Sequence, residues 1–273
     1  MSGALLRLDE LSWTQVASLD PARTVVFLLS GPMEQHGPHL PLGSDLFQAR
    51  LVMDTIAERV TAAGWTVLLA PPIPYTTAVL SRTYPGSVSV RRAHLMPFLT
   101  DVLNSFARNG LRTTVVVSQH IDPPHVLAWE DACRRAAEDT GARAIEGYER
   151  MVFDDLREEA LYPLLGEGAR GDSHAGLFET SVMLVARPDL VRDDELARLK
   201  PMPLDFDHDL RRARDFHELG NGLGYTGHPA AATAELGRRL VQRYAAAYGD
   251  LVLAHLRDED VWDRLTVRHL FPR

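Results

Sequence analysis

The sequence predicts an α/β protein with a mainly parallel sheet covered by helices on both faces. Two observations carry this reading. Short β-branched apolar runs alternate along the chain with longer segments of helical periodicity, the pattern of strand–helix–strand units. The runs are rich in β-branched and aromatic residues, as expected of buried strands. At roughly 150 residues per domain the 273 residues allow one large domain or two small ones. No repeat, low-complexity tract or linker divides them, so a single domain over residues 1–273 is expected.

The first strand is Thr24 to Ser30 (TVVFLLS), followed by a loop rich in Gly, Pro and His from Gly31 to Gly43. Ser44 reads as the N-cap of a helix in which Leu46, Ala49, Leu51, Val52, Ile56 and Val60 recur at helical spacing. Gly64 ends that helix, and Trp65 to Ala70 is the second strand. An irregular stretch containing Pro71, Pro72, Pro74, Pro85 and Gly86 precedes a helix from about Arg92 to Asn109, closed by Gly110. Thr113 to Val117 is a third buried strand that runs straight into Ser118, Gln119 and His120. Further on come a helix near Val126 to Glu138, a strand over Ala142 to Gly147, and helices from Ala175 to Ala186 and Ala230 to Leu256.

Composition narrows the class. Hydrophobic residues make up 45% and charged residues 24%, which excludes a disordered or fibrous chain. With 29 basic and 37 acidic residues the net charge is −8, so neither nucleic acid nor an anionic membrane is an expected partner. Cys133 is the single cysteine, which forbids an intrachain disulfide and fits a reducing cytoplasm. It falls on an apolar helical pattern and reads as a small core residue. The first residues carry acids and lack a basic-then-apolar leader, and no run approaches the ~20 apolar residues of a membrane span. A cytoplasmic location is the expectation.

The chemistry concentrates at two strand ends. Glu34, His36 and His39 lie in the loop after the first strand, with Asp45 at the following helix entry. In an open α/β sheet ligands bind outside the carboxyl ends of the strands, where this loop sits. Glu34 and His36 are two apart, so in extended backbone both side chains leave the same face. His120 follows the third strand and Asp122 comes two residues later. Imidazoles and carboxylates from neighbouring strand ends make a mixed N/O donor set that suits Zn, Mn or Fe better than Ca or Mg. Each pair alone occurs more often as a surface or supporting pair than as a metal site; their joint occurrence is what raises the metal reading.

The run Gly31-Pro-Met-Glu34-Gln-His36-Gly-Pro-His39-Leu-Pro-Leu-Gly-Ser-Asp45 resembles the signature loop of the creatininase (creatinine amidohydrolase) family. Tyr84-Pro85-Gly86-Ser87 looks like its Phe-Pro-Gly-Thr, and His174-Ala-Gly-Leu-Phe-Glu179-Thr-Ser181 like its His-Ala-Gly-Glu-x-Glu-Thr-Ser. Gly227-His-Pro229 with Ala231-Ala-Thr-Ala234 and Gly237 is similar to its C-terminal motif. The resemblance implies a three-layer α/β/α sandwich, a cofactor of two divalent metal ions per chain, and hydrolysis of cyclic or linear amide C–N bonds other than peptide bonds. It implies a small-molecule amide or lactam substrate and a homohexamer. By position Glu34, His36, Asp45 and His120 match metal ligands, with Asp45 as the bridging carboxylate. Asp122 and Glu179 both remain open as the ligand that closes the second shell. His174 matches a histidine near substrate, placed to pass a proton to the leaving nitrogen.

Two departures stand out. Where the family usually reads Asn-Gly-His-Gly-Gly-Asn, this chain has Ser118-Gln-His120-Ile-Asp-Pro, and Leu177 stands where glutamate is common. The prolines stiffen that loop, so the pocket should be shaped differently and creatinine itself is a weak expectation. A lactam- or amide-forming enzyme on the same site, or a non-catalytic small-molecule binder, are the other readings. Gly222-Leu-Gly224-Tyr-Thr-Gly227 formally matches a dinucleotide fingerprint but follows a charged stretch and precedes Pro229, so it reads as a loop. His208, His217 and His228 read as structural or exposed, and Arg238, Arg239 and Arg243 as a solvated helix face.

Overall fold

The computed structural model describes residues 3–148, 150–152, 164, 166, 171–205, 209, 214–219 and 222–266. Five parallel strands form one sheet: β1 (Leu5–Arg7), β2 (Thr24–Ser30), β3 (Thr66–Leu69), β4 (Thr113–Ser118) and β5 (Arg143–Ile145), in the order β1-β3-β2-β4-β5. β1 escaped the sequence reading because three residues cannot display a period; its place is fixed by pairing Leu5 with Val67. The other strands fall on the expected runs, β5 shorter than expected.

Alternation along the strands divides the core into two layers. Val25, Phe27 and Leu29 of β2, with Val115 and Val117 of β4, pack on one face against α2 (Ser44–Ala62), α5 (Leu177–Ala186) and α6 (Ala234–Leu256). Val26, Leu28 and Val116 point the other way, against α3 (Arg92–Arg108) and α4 (Pro123–Thr140). Helices therefore cover both sides, the expected α/β/α arrangement. A short α1 (Trp13–Ala17) precedes β2. Among the described residues no helix is long and apolar enough to cross a membrane.

Several boundaries moved for identifiable reasons. Gly43, not Ser44, occupies the N-cap of α2; Ser44 is the first helical residue and its hydroxyl donates to Pro41 O at 2.7 Å. α4 begins three residues early because Pro123 and Pro124 occupy its first turn, where a missing N–H costs nothing. Only four residues then separate β4 from α4. α5 starts at Leu177, since Ala175 has φ 49° and breaks the helical path. The last helix starts at Ala234, where Thr233 caps it by accepting from Leu236 N–H, after a separate turn at Pro229–Ala231.

Cys133 lies fully buried in the α3–α4 layer, and burial pushes its thiol up to about 12. At pH 8 the thiolate is then scarce and sheltered. Ellman's reagent should find no reactive thiol in the native protein and one per chain after unfolding in guanidinium; rapid native labelling would contradict this packing.

Candidate metal centre

Register brings the two loops together. Ser30 pairs with Ser118, so β2 and β4 end side by side. The Trp129 indole N–H donates to Ser30 Oγ at 2.9 Å, tying α4 to the same edge. Beyond it the 31–43 loop folds back on itself: Gly31 N–H donates to Ile73 O and Glu34 N–H to Leu42 O. This returns the chain to α2 with Asp45 in its first turn, where a carboxylate meets the positive end of the helix.

Both site histidines are oriented by backbone carbonyls. A carbonyl only accepts, so His36 donates Nδ1–H to Glu34 O (3.0 Å) and His120 donates Nε2–H to Thr77 O (2.8 Å). The remaining nitrogens face carboxylates, as metal-ligating imidazoles do. His36 Nε2 lies 3.1 Å from Asp45 Oδ1 and 3.6 Å from Glu179 Oε2. His120 Nδ1 lies 2.9 Å from Glu34 Oε2 and 3.4 Å from Asp45 Oδ2. Three groups each gather ligand atoms within 4.8 Å: Glu34–Asp45–His120, His36–Asp45–Glu179 and Glu34–His36–His174. Asp45 belongs to the first two. Asp122 belongs to none; its Oδ2 accepts Val79 N–H at 2.5 Å.

Burial sets the electrostatics. It opposes charge on His36, yet Asp45, Glu179 and Glu34 override it and hold the imidazole at about 10. His120 likewise stands well above its ordinary value, chiefly through Glu34 against burial. Burial, with the Asp45 charge, lifts Glu179 to about 8, and burial lifts Asp122 to about 6. Glu34 goes the other way: His120, His174 and His36 outweigh its burial and hold it below the usual carboxylate range. Burial beside His36 lowers His39 to about 3 and His174 to about 4. Carboxylates packed this closely need positive charge nearby. Glu34 Oε2 and Asp45 Oδ2 are buried and have no hydrogen-bond partner among the described residues. Orphaned carboxylate oxygens facing oriented imidazole nitrogens fit one or more divalent cations of the Zn or Mn kind.

The supporting shell was not legible in the sequence. Ser81 Oγ–H donates to Glu34 Oε1, and Thr77 supplies the carbonyl to His120. Both sit in the aperiodic stretch after β3, where no local signal marks them. Gln35 O accepts from His174 Nε2 at 2.8 Å, and the Gln35 side chain accepts Gly37 N–H. His174 also stacks on Phe216 (4.3 Å between centroids), with the His36 ring tilted beside it at 4.5 Å. His39 meets Thr180 Oγ1 at 2.8 Å. The Gly222–Gly227 loop presses on this shell from behind: at Gly224 (φ +74°) a Cβ would lie 1.9 Å from Gln35 Oε1. His217 stacks on Tyr84, His228 precedes the Pro229 turn, and His208 lies outside the described residues.

Asp172 anchors the helix that carries Glu179. Its buried carboxylate accepts Leu177 N–H (2.6 Å) and Phe178 N–H (2.9 Å), the first donors of α5. A Cβ on Gly227 (φ +81°) would lie 1.9 Å from Asp172 Oδ1, which leaves glycine as the residue that fits.

A buried carboxylate–imidazole cluster at the carboxyl ends of a parallel sheet is the donor set of a metal-binding α/β protein. The sequence profile of the creatininase family, described as creatinine amidohydrolase, matches residues 9–252, and the chain belongs to that family. Creatinine amidohydrolase of Pseudomonas putida is 29% identical over 205 residues, 70% of this chain and 76% of that one. Mycofactocin precursor peptide peptidases of Mycobacterium ulcerans (30% over 240 residues; 85% and 86% of the two chains) and Mycolicibacterium smegmatis (32% over 217 residues; 79% of each) are also similar. A manganese creatininase structure superposes with TM-score 0.71 at 24% identity over 90% of this chain and 96% of that one. A Zn–Zn creatininase variant superposes at 0.70, also with 24% identity and the same two shares.

Asp172→Ala strands two buried N–H donors at the start of α5 and should lower unfolding free energy by about 2–4 kcal/mol. Chemical denaturation checks this; a loss under about 0.5 kcal/mol would contradict the anchoring role.

Proposed function

We propose that the protein is a metal-dependent amidohydrolase that cleaves a C–N bond of a cyclic or linear amide at the Glu34–His36–Asp45–His120–Glu179 centre. The observation that carries this is Asp45, whose two carboxylate oxygens face two different imidazole nitrogens, 3.1 and 3.4 Å away. One carboxylate shared between two donor groups is the arrangement that serves two adjacent cations. Glu34 and His120 would hold one ion and His36 and Glu179 the other, with Asp45 common to both. Bound ions would supply a Lewis acid for the amide carbonyl and make water acidic enough to attack near neutral pH.

The chain's own residues would manage geometry and protons. His174 gives Nε2–H to Gln35 O, which leaves Nδ1 as the ring's acceptor. From there it would take a proton from the attacking water and return it to the leaving nitrogen, restoring its starting state as the C–N bond breaks. The Glu34 and Thr77 carbonyls would keep both ligand imidazoles in the productive tautomer.

A second reading extends the substrate to peptide amides. Relatives named as peptide peptidases match 85% and 79% of this chain, against 70% for the creatinine amidohydrolase. The stiff, proline-bounded His120 loop also departs from the glycine-rich pattern usual in the family.

Elemental analysis of the purified protein should find about two Zn, Mn or Fe per chain. Asp45→Ala should lose both, whereas His36→Ala and His120→Ala should each lose about one. A metal-free protein that takes up no Zn or Mn would sink the mechanism. With creatinine, lactams and short peptides as the panel, His174→Gln should lower kcat roughly 10²–10⁴-fold at unchanged metal content. A fall under about tenfold would remove His174 from the proton path.

A further inference from the structure

We propose that Phe216 is a positioning residue that holds the plane of the His174 imidazole, and with it the nitrogen that takes and returns the proton. This rests on the amidohydrolase reading above and deepens it, since His174 is the proton carrier there.

Hydrogen bonds fix His174 at its main chain and at one ring nitrogen, which leaves the ring free to turn. Thr226 Oγ1 accepts His174 N–H at 3.0 Å, and Thr226 N–H donates to His174 O at 2.8 Å. The ring gives its Nε2–H to Gln35 O at 2.8 Å. The same nitrogen lies 3.1 Å from Gln35 Nε2, an amide that would donate to the ring in its other tautomer. In that tautomer the proton sits on Nδ1, and the acceptor for the attacking water is lost. Hydrogen bonds weaken steeply as they bend, so the plane of the ring decides between the two partners.

Phe216 sets that plane. Its ring stacks on His174 with centroids 4.3 Å apart and 19° between the planes. At that separation an imidazole turning about its Cβ–Cγ bond would strike the phenyl face. Phe216 is only 5% exposed, too buried to meet a substrate, so it acts through His174. The segment that carries it is fastened to the stretch after β3 that supports the centre. Phe216 N–H donates to Leu80 O at 2.9 Å, one residue before Ser81, whose hydroxyl holds Glu34. His217 lies flat on Tyr84 (4.1 Å, 4°), and Tyr84 Oη–H donates to Gly222 O at 2.9 Å. Leu204 and Leu219 pack with Phe216, alongside Leu80 and Tyr84. An aliphatic side chain could fill this cluster, but only a flat ring matches the imidazole plane.

The test uses the full chain, loaded with zinc and carrying isotope-labelled histidine for nitrogen NMR. It reads the two ring nitrogens of His174, assigned by their loss in His174→Gln. In the wild type they should report one fixed tautomer with the proton on Nε2. In Phe216→Leu the two shifts should move toward each other as both tautomers become populated, whereas Phe216→Tyr, which keeps the ring, should keep the wild-type pair. Zinc content should be the same in all three. Should Phe216→Leu fail to fold, Phe216→Met carries the same expectation. On whichever of creatinine, lactams or short peptides the wild type cleaves, Phe216→Leu should lower kcat about tenfold at unchanged KM. A leucine variant that keeps the single tautomer or the full kcat, or a wild type in which His174 ligates zinc or mixes tautomers, overturns the proposal. A wild type whose fixed tautomer is lost in Phe216→Leu but which cleaves nothing on the panel counts against the amidohydrolase reading and leaves the positioning role standing.

Discussion

The site depends on the parallel pairing of β2 with β4. Opposing Ser30 to Ser118 puts the Glu34–His36 loop and His120 at one edge of the sheet. A slip of one residue would turn every side chain of β4 to the other face. It would move Val116 out of the α3–α4 layer and carry His120 away from Asp45. The two-layer core therefore enforces the geometry of the centre, because the apolar alternation that packs the helices also fixes where the strands end.

Within that frame the protein tolerates an electrostatic arrangement that would be costly elsewhere. Glu34, Asp45 and Glu179 converge with little solvent access; burial and the Asp45 charge raise Glu179, while the surrounding imidazoles hold Glu34 below the usual carboxylate range. Backbone carbonyls make the arrangement specific. By accepting an N–H from each site imidazole, Glu34 O and Thr77 O fix which nitrogen looks inward. Asp172 does related work at the far wall, holding the first turn of α5 so that Glu179 arrives at His36.

The family accommodates both creatinine amidohydrolase and peptide peptidases, and the connection after β4 is where this chain sets its own course. Two prolines begin α4 at once, so four residues carry His120 and define the cleft beside it. A loop that short has little freedom to close over a substrate. Side chains preset by such a loop reduce the entropy lost on binding.

The sequence by itself determined the layered fold and, with the family resemblance, supplied the candidate members of the centre. Uninterrupted apolar runs required strands buried on both faces, and the Glu34–His36 and Asp45 spacing after the first strand located the mouth of the sheet. Local periodicity and short-range spacing suffice for such features because they act within one element. Only the tertiary structure shows that Glu179, and not Asp122, lies among the other candidate residues. Both are carboxylates near a strand or helix end, but Asp122 is taken up by Val79 N–H whereas Glu179 reaches His36 from α5. Ser81, Thr77, Gln35 and Asp172 were likewise invisible. Each acts across a long sequence separation, through a hydrogen bond that exists only when distant segments meet. The three-residue β1 had no local signal at all, and its partner strand defines it. Contacts of that range are set by the packing of the whole chain, and no period in the sequence records them.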